Sequence, residues 1–519
     1  MIGRAARDTH SPAIKFRFPL DHPTARRKNR PNRLLRQLRN RIGKHGGIYS
    51  LEINKPAPFL ISDRLSLFPD STRVRNDSLT IAGHFLASLV DQYGTPLYIY
   101  DRATMDSSVA AYKGALKEYY PASSDITYAG KAFLCKAIAQ WTQHHHLWID
   151  CTGEGEIAIA IAGNVKRENI LVHGVNKSIP DLESAIQHAG TIVVDNLAEL
   201  KRIDVILRER NERRISNNKN KTLGSQRTLG QSDINIWLRL QPGIAVSTHH
   251  KHTQTGQHDS KFGMTHNEII TAANFCKQNH LSLNGIHFHQ GSNFRNPEPL
   301  IPAIELALDL AKEIGFENEW HFCPGGGWSV AYHENELPQP EIEEVVRGVS
   351  EAIIEGCKQH GLSLPYLHLE PGRSLIAHAG VAIYRVGAIK RRGERTWILT
   401  DGGMADNPRH ALYGAKYSCL TVAGLSREMN EKVSIAGPYC ESGDVIIEDL
   451  LMPQIEESEL IAIPVSGAYH LSMSSNYNGA RRPAVLMLEE GNVQQIVRRE
   501  TTDDLLKRDA VLFLDSNQK

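Results

Sequence analysis

Ile126-Thr127-Tyr128-Ala129-Gly130-Lys131-Ala132 begins the pattern that decides the fold, a short apolar or β-branched run followed by small and polar residues. Seven similar runs follow it, separated by stretches with helical periodicity. They span residues 147–150, 170–173, 192–195, 234–239, 285–289, 320–323 and 366–370. Eight strand-helix units over about 250 residues have the size and rhythm of a TIM barrel. A doubly wound sheet has the same alternation and is the alternative on pattern alone.

The segments between these runs differ in regularity. In 342–357, Ile342, Val345 and Val349 recur at the helical period, and Gly361 beyond them is a common helix terminator. The segment 210–232 has no such period and is rich in Asn, Lys, Arg, Ser, Gly and Gln. We therefore expect a flexible surface insertion at 210–232, between a helix and the fifth strand.

The pattern of apolar and polar residues changes at about residue 376. Apolar runs separated by Gly, Asp and Asn predict a second, mostly β domain of the sandwich or barrel-like type. The run 96–101 precedes the barrel, and we expect it to pair into this β domain. The predicted parts are a basic extension (1–65), a segment that pairs with the β domain (66–105), the barrel (106–376) and the β domain (377–510).

The first 45 residues carry 13 Lys or Arg residues against only Asp8 and Asp21. Few apolar residues recur there at any period, so we expect a disordered basic extension or a misassigned start. A transit peptide would be basic too, but it should be richer in Ser. A weak contact with RNA or an anionic surface is a third alternative. The lack of an apolar signal region argues against secretion.

The composition of the 519 residues is ordinary for a globular protein, with 41% hydrophobic and 23% charged residues. A net charge of +1 gives no reason to expect nucleic acid as a partner. No apolar run approaches the roughly 18 residues of a membrane span. The seven cysteines are scattered without a C-x-x-C pair, so we expect no disulfides and no metal. A reducing, cytoplasmic compartment fits this pattern best.

Polar groups follow several predicted strands, at the end where TIM barrels carry their active sites. Lys131 follows the first strand, and His289-Gln290-Gly291-Ser292 ends the sixth. Gly325-Gly326-Gly327 follows the seventh strand, and Glu370-Pro371-Gly372-Arg373 ends the eighth. Phosphate often binds the loops after strands 7 and 8, where glycines let backbone N–H groups approach an anion. The sequence therefore predicts a phosphate site at the same barrel mouth as Lys131.

A lysine and a phosphate cradle are two of the three features that a pyridoxal 5'-phosphate (PLP) site needs. The third is a partner for the pyridine nitrogen, and the carboxylate of Glu370 is placed to supply it. Lys131 can form a Schiff base if its site desolvates the ammonium and lowers its pKa. Each residue alone has an ordinary interpretation, such as a surface lysine or a capping glutamate. Together they predict a PLP site.

Two segments beyond the barrel also carry reactive groups. The loop 437–444 places the Cys440 thiol beside Glu441 and Asp444, between glycines. A buried free cysteine is usually inert packing, so Cys440 has a structural interpretation as well as a functional one. Arg409, shortly before Tyr413, supplies a guanidinium suited to bidentate carboxylate binding.

Together these motifs resemble the fold type III PLP-dependent decarboxylases, most closely the diaminopimelate branch. The resemblance covers about residues 70–505. It is carried by Y-A-G-K-A at 128–132, T-H-H-K-H-T-Q-T-G-Q-H-D-S-K-F-G at 248–263, H-F-H-Q-G-S at 287–292, G-G-G at 325–327, E-P-G-R at 370–373, R-H-A-L-Y at 409–413, C-E-S-G-D at 440–444 and G-A-Y at 467–469. The elements at 248–263 and 440–444 indicate the diaminopimelate branch.

The resemblance implies a PLP-binding barrel with a C-terminal β domain, and a role for each matched residue. Lys131 would hold PLP covalently, His289 would stack on its ring, and Glu370 would face its nitrogen. The other cofactor contacts would come from Ser292, Gly325, Gly326, Gly327, Gly372, Arg373 and Tyr469. The substrate would be bound by Arg373, Arg409, Tyr413, Glu441 and Tyr469. Cys440 would donate a proton, reaching with Glu441 across a homodimer interface into the partner's barrel.

The implied activity is that of a carbon–carbon lyase, which converts meso-diaminopimelate to L-lysine and carbon dioxide at the last step of lysine biosynthesis. A sister decarboxylase acting on ornithine, arginine or another modified amino acid is one alternative, and Cys440-Glu441 argues against it. A silent regulatory homologue is another, and the retention of Lys131, Glu370 and Arg373 argues against that. His410 and Glu154 depart from the family pattern close to the site and bear on substrate choice.

Overall fold

The structure is a computed structural model that describes residues 61–218, 234–244, 256–316 and 319–511. Three sequence predictions therefore fall wholly or partly outside the described residues: the basic extension up to residue 60, most of the insertion, and residues 248–255 of the long motif. Within the described ranges, no helix is long and apolar enough to cross a membrane.

The described chain begins with a small subdomain that precedes the barrel. Its elements are α1 (Ile61–Leu65), β1 (Arg73–Arg75), β2 (Ser78–Ile81), β3 (His84–Phe85), α2 (Leu86–Tyr93) and β4 (Leu97–Asp101). Strands β1 to β3 form an antiparallel sheet. The prediction of disorder is wrong for residues 61–65, because the buried Arg64 on α1 pairs with the buried Glu334 at 2.8 Å. Breaking a buried ion pair is costly, so the pair anchors α1.

The barrel follows α3 (Arg102–Tyr119). Its elements alternate: β5 (Ser124–Ala129), α4 (Lys136–His144), β6 (Trp148–Cys151), α5 (Glu154–Ala162), β7 (Ile170–Val172), α6 (Ile179–His188), β8 (Thr191–Val194), α7 (Leu197–Asn218), β9 (Asn235–Leu240), α8 (His266–Gln278), β10 (Leu283–Phe288), α9 (Ile301–Ile314), β11 (His321–Cys323), α10 (Ile342–His360), β12 (Tyr366–Leu369) and α11 (Arg373–Ile376). The parallel strands close in chain order, with β12 paired to β5. The TIM-barrel prediction is confirmed, and each predicted run overlaps one strand.

Two helices show how the sequence sets the limits of the elements. α10 buries Val345 and Val349 on one face and ends at Gly361, which adopts φ +69° in the left-handed region that glycine tolerates. α7 continues to Asn218, so the predicted insertion starts too early at residue 210. Arg213 pairs with Glu209 one turn earlier at 3.1 Å, a spacing that supports a helix despite its polar composition.

The C-terminal domain is mostly β, as predicted. Its elements are β13 (Gly380–Arg392), β14 (Arg395–Thr400), α12 (Arg409–Tyr413), β15 (Leu420–Thr421), β16 (Glu431–Ala436), β17 (Val445–Met452), β18 (Leu460–Ile463), β19 (Ala484–Glu489), β20 (Asn492–Val497) and α13 (Thr502–Leu506). Strand β4 joins the same sheet, antiparallel to β13 and parallel to β19, which confirms the pairing expected for 96–101. Because β4 leads directly into α3, this sheet is tied to the barrel.

A cluster of rings fills the N-terminal ends of the barrel strands, opposite the end that carries Lys131. His368 lies 4.7 Å from Trp148 and 4.8 Å from Trp237 between ring centroids. Its Nε2 lies 2.9 Å from Nδ1 of His321. Burial lowers the pKa of His321 to about 4, and it holds the pKa of His368 well below its ordinary value. Both imidazoles are therefore neutral at pH 7.

We expect acid to destabilise the protein through His321. Its pKa is about 4 in the folded chain against 6.5 for an ordinary histidine, so the unfolded state binds more protons over that interval. The stability that neutral His321 contributes above pH 6.5 is lost as the pH falls toward 4, by about 1.4 kcal/mol per pH unit. In denaturant titrations across this range, His321→Phe should lose less free energy of unfolding than wild type. Parallel pH profiles would contradict this.

Candidate active site

A cavity of about 730 Å³ lies at the C-terminal ends of the barrel strands, where loops of the β domain complete its wall. Ten of the residues predicted from sequence line it: Lys131, His289, Ser292, Gly327, Glu370, Gly372, Arg373, Arg409, Tyr413 and Tyr469. Four do not line it: Gly325, Gly326, Cys440 and Glu441. The structure therefore brings together residues separated by more than 300 positions in the sequence.

Lys131 lies in a single 3-10 turn, Gly130–Ala132, directly after β5. Its side chain is 51% exposed to the cavity, and its Nζ lies 3.8 Å from Oδ2 of the buried Asp150 at the end of β6. Desolvation lowers the pKa of Lys131, but Asp150, Tyr469 and Glu370 outweigh it and raise the pKa above the ordinary value. The lowered pKa considered from sequence is therefore wrong for this structure, and Asp150 holds the amine as an ammonium.

Glu370 follows β12 and is braced by two histidines. His173 Nε2 lies 2.9 Å from one carboxylate oxygen, and His287 Nε2 lies 3.1 Å from the other. Burial raises the pKa of Glu370, but the two histidines outweigh it and hold the pKa well below its usual range. Burial also lowers the pKa of His287 to about 3, so His287 braces Glu370 as a neutral donor. Glu370 is thus a fixed carboxylate facing the cavity.

The same three residues have the composition of a metal site. Their donor atoms all lie within 4.8 Å of one another, and all three side chains are buried. Each imidazole Nε2 is already directed at an oxygen of Glu370, however. The geometry is therefore that of a hydrogen-bonded carboxylate, which keeps its charge for a cation or an N–H group in the cavity.

Two buried guanidiniums flank the ring of Tyr332 on the opposite wall. Arg373 lies 5.6 Å and Arg409 4.5 Å from the ring centroid. Arg373 donates to Ser292 Oγ at 3.1 Å and to the Tyr332 hydroxyl, while Arg409 donates to the Tyr417 hydroxyl at 2.6 Å. Within the described ranges neither has a carboxylate within 4.0 Å. Burying unpaired cations is costly, so this wall is built to receive anions.

The Gly325-Gly326-Gly327 loop is packed tightly against the ends of neighbouring strands. A Cβ on Gly326 would overlap the carbonyl oxygen of Glu370, and one on Gly327 would overlap that of Gly291. Gly325 and Gly327 adopt φ +77° and +103°, which side chains rarely tolerate. Glycine is therefore required because the ends of three strands approach closely, and only Gly327 faces the cavity.

Several wall residues were missed from sequence. Asp150 and Arg239 lie on strands β6 and β9, and His173 directly follows β7. The strand-end rule that singled out Lys131 and Glu370 would have found all three. Tyr332 lies in an irregular loop after β11, where no periodic signal marks it. Phe262, from the part of the 248–263 motif that is described, packs 4.7 Å from the Arg239 guanidinium.

The loop that carries Cys440 and Glu441 contributes neither residue to the cavity wall of its own chain. Both residues are exposed, and the Cys440 backbone N–H donates to Asn478 Oδ1 at 3.0 Å. Asp444 braces this loop by accepting from the backbone N–H groups of Met404 at 2.7 Å and Tyr439 at 2.8 Å. The loop is therefore held in place, with its thiol and carboxylate presented outward.

The two departures from the family pattern lie outside the cavity wall. His410 Nδ1 lies 3.0 Å from the carbonyl oxygen of Ala415, which lines the cavity, and Glu154 is exposed at the start of α5. Neither departing residue itself lines the cavity. An effect of His410 on substrate choice would therefore act through neighbours such as Ala415 or Arg409 rather than by direct contact.

The wall fits the groups of PLP. An amine, Lys131, is available for the aldehyde, and the Glu370 carboxylate is available for the ring nitrogen. Arg373 and Ser292 form a joined donor pair suited to the phosphate dianion. Arg409 is left as a further guanidinium in the same wall, without a carboxylate partner among the described residues. The site therefore accounts for the cofactor and for one further anionic group.

A family model described as "Pyridoxal-dependent decarboxylase, pyridoxal binding domain" matches residues 105–377. The chain is 34% identical to a diaminopimelate decarboxylase of Bacillus subtilis over 85% of this chain and 97% of that one. The crystal structure of diaminopimelate decarboxylase from M. jannaschii in complex with L-lysine has TM-score 0.75 at 28% identity, covering 85% and 98% of the two chains. The corresponding L-lysine complex from Helicobacter pylori has TM-score 0.71 at 28% identity, covering 81% and 98%. This chain belongs to the family of PLP-dependent diaminopimelate decarboxylases.

Proposed function

We propose that this protein decarboxylates meso-diaminopimelate to L-lysine and carbon dioxide, with PLP as its cofactor, at the last step of lysine biosynthesis. One observation carries the proposal. Beside the groups that suit PLP, the wall holds a second buried guanidinium, Arg409, with no carboxylate partner among the described residues. A substrate with a carboxylate at its far end would supply that partner.

PLP, when bound, supplies an electron sink for the electron pair that the departing carbon dioxide leaves on the substrate Cα. Glu370 would face the ring nitrogen, and its negative charge would favour a proton on that nitrogen. Its low pKa means that the carboxylate stays charged across the physiological range. His173 and His287 keep it in place and leave it no freedom to turn away.

Lys131 would hold PLP through its side-chain amine, which lines the cavity. Asp150 stabilises the charge of that amine, when it is free, from 3.8 Å. Because Asp150 is buried, this interaction is stronger than an exposed ion pair. The amine is therefore kept in the wall where the cofactor would bind.

Recognition of the substrate rests on its far end, which carries an amine and a carboxylate. Arg409 binds the carboxylate, and its guanidinium is kept in orientation by Tyr332 and Tyr417. Ornithine lacks a carboxylate at that end and would leave Arg409 unpaired in a buried site. A site built around such a contact rejects analogues that lack it by on the order of 10⁴-fold.

The active site is shared between two subunits of a homodimer. Cys440 donates the proton to the substrate Cα, and Glu441 binds the distal amine, both from the partner's chain. Their exposure, their absence from the cavity of their own chain and the rigid brace at Asp444 support this arrangement. A neutral thiol is a suitable acid for this step, since it is a proton donor that carries no charge into the site.

Hybrid dimers test whether each active site is shared between two subunits. In a purified hybrid of a Lys131→Ala chain and a Cys440→Ala chain, one of the two sites has both groups intact, so about half of wild-type activity is expected. The control hybrid pairs a wild-type chain with a Lys131→Ala/Cys440→Ala chain and should be inactive. Sites contained within one chain would reverse these two results.

All seven cysteines are free thiols. Five of them are buried, and unpaired cysteines of this kind suit a reducing compartment, where disulfides do not form. We place the enzyme in the cytoplasm on this ground.

The test of the proposed activity is an assay of the purified protein with PLP against four amino acids: meso-diaminopimelate, ornithine, arginine and lysine. Carbon dioxide release and the amine product are measured for each. Lysine should form from meso-diaminopimelate, with little turnover of the other three. Preferred turnover of ornithine or arginine would overturn the proposed substrate, and no turnover of any of them would overturn the enzyme assignment.

A further inference from the structure

A buried chain of hydrogen bonds leads from the cavity wall into the β domain. Arg409 Nη1 lies 2.6 Å from the Tyr417 hydroxyl, which lies 2.8 Å from His470 Nε2. His470 Nδ1 lies 3.4 Å from the Tyr98 hydroxyl, and that hydroxyl lies 3.1 Å from Asp406 Oδ2. All five residues are at most 8% exposed. The chain therefore joins a cation at the cavity to a carboxylate behind it, through three groups that water does not reach.

Donor and acceptor rules give this chain of hydrogen bonds one self-consistent direction. A guanidinium only donates, so the Tyr417 oxygen accepts from Arg409, which leaves the Tyr417 proton for His470 Nε2. On this basis we assign the imidazole proton to Nδ1, facing Tyr98. Tyr98 then accepts from His470 and donates to Asp406, and its hydroxyl also lies 3.1 Å from the Tyr384 hydroxyl. The bonds then run from Arg409 toward Asp406.

This chain of hydrogen bonds requires a neutral His470. Burial, Arg409 and Arg373 hold the pKa of His470 well below its ordinary value. A charged imidazole would donate from both nitrogens and leave the Tyr417 hydroxyl without an acceptor beside a cation. At its far end the chain is secured by Tyr384, which donates to Asp406 at 2.6 Å, and by the Gly403 N–H at 3.0 Å.

The segment 469–470 thus contacts Arg373 directly and Arg409 through Tyr417. The ring of Tyr469 lies 4.9 Å from the Arg373 guanidinium, while the next residue, His470, reaches Arg409 through Tyr417. Tyr469 adopts φ +62°, and its backbone N–H donates to the Ala132 carbonyl oxygen at 2.8 Å, one residue after Lys131. This backbone position lets neighbouring side chains serve two different anion sites.

We infer that His470 is a positioning residue for substrate recognition, which orients Arg409 through Tyr417 for the distal carboxylate. The inference rests on the proposed function, because it takes that carboxylate as the ligand of Arg409. An ordinary core histidine in the same place would affect only the stability of the fold. If His470 is a positioning residue, replacing it weakens ligand binding even when the fold and the cofactor site remain intact. If it is only a core residue, ligand affinity does not change in a folded variant.

L-Lysine is the probe, since decarboxylation leaves the distal carboxylate of the substrate in the product. In the holoenzyme, His470→Phe removes the acceptor for Tyr417 with little change of volume. We expect the lysine dissociation constant from calorimetry and KM for meso-diaminopimelate each to rise about tenfold, since an unsatisfied buried hydroxyl disturbs Arg409. We expect kcat to change less than about threefold and PLP affinity to stay the same, because Lys131 and Glu370 are untouched.

Two further variants distinguish a positioning role of His470 from general damage to the structure. His470→Gln places an amide oxygen near the position of Nε2 and should restore much of the lysine affinity. Tyr417→Phe should raise the lysine dissociation constant as His470→Phe does, and the double variant should be no worse than either, because both act through one contact. His378→Phe is the control, since His378 pairs with Asp70 at 3.5 Å outside the cavity wall. Its kinetics should match those of wild type.

An unchanged lysine dissociation constant in folded His470→Phe overturns the inference. So does a joint loss of lysine and PLP affinity, or full additivity with Tyr417→Phe. If His470→Phe does not fold, His470→Asn, whose amide is too short to reach Tyr417, is judged by the same criteria. A wild-type protein that binds lysine but does not decarboxylate meso-diaminopimelate would overturn the proposed function instead.

Discussion

Lys131→Ala should abolish decarboxylation, with a loss of kcat on the order of 10³-fold or more. The variant lacks the amine that we propose holds the cofactor and that lies 3.8 Å from Asp150. PLP itself should still bind, more weakly, because Arg373, Ser292 and Glu370 are unchanged. The expected signature is therefore a protein that takes up PLP reversibly and loses it on dialysis, with no turnover. Carbon dioxide release and cofactor retention after dialysis measure the two parts.

A matched lysine provides the control for this experiment. Lys136 is exposed at the start of α4, five positions along the chain, and lies outside the cavity wall. Lys136→Ala should retain wild-type kcat and cofactor. Turnover in Lys131→Ala close to that of the control would remove Lys131 from its central place and require another amine to hold the cofactor.

Arg409→Met should remove most of the preference for meso-diaminopimelate over ornithine. The wild-type preference for meso-diaminopimelate over ornithine is expected to be on the order of 10⁴ in kcat/KM, because ornithine leaves a buried guanidinium unpaired. Methionine fills a similar volume without the charge, so the variant no longer penalises the missing carboxylate. We expect kcat/KM for meso-diaminopimelate to fall by on the order of 10²-fold or more and the preference to shrink to about tenfold. Competition between the two amino acids measures it directly.

The exposed Arg392 at the end of β13 serves as the comparison for Arg409. Arg392→Met should keep the wild-type preference. If Arg409→Met also kept it, the distal carboxylate would have to be bound elsewhere. Tyr413 would then be the first residue to replace, since it lies on α12 with Arg409 and lines the cavity.

The barrel could be predicted from sequence because its signal repeats. Eight apolar runs alternating with helical segments leave few possible topologies, and strand-end residues of such a fold meet at one mouth. Lys131 and Glu370 were found in this way. Asp150, His173 and Arg239 obey the same rule, and only their lack of a recognised motif kept them from being named.

Other features depend on contacts that no local pattern encodes. Whether its site lowers the pKa of Lys131 was left open by the sequence, and the pKa rises because Asp150 lies on the neighbouring strand. His470 and Tyr98 are in contact although 372 positions separate them in the sequence. Tyr98 joins this chain of hydrogen bonds because it lies on β4, which pairs into the C-terminal sheet. Sequence spacing carries no information about such a pairing. The same limit applied to Arg64, whose buried partner Glu334 lies 270 positions away.

Conversion of meso-diaminopimelate to L-lysine in this cavity can be tested in a single incubation. The holoenzyme is supplied with meso-diaminopimelate in deuterated water, and the products are analysed by mass spectrometry together with released carbon dioxide. We expect equimolar carbon dioxide and L-lysine carrying a single non-exchangeable deuterium at Cε, the carbon that lost its carboxylate, delivered by an exchangeable acid. Failure to form lysine or carbon dioxide from this substrate, in protein that has bound PLP on Lys131, would contradict it.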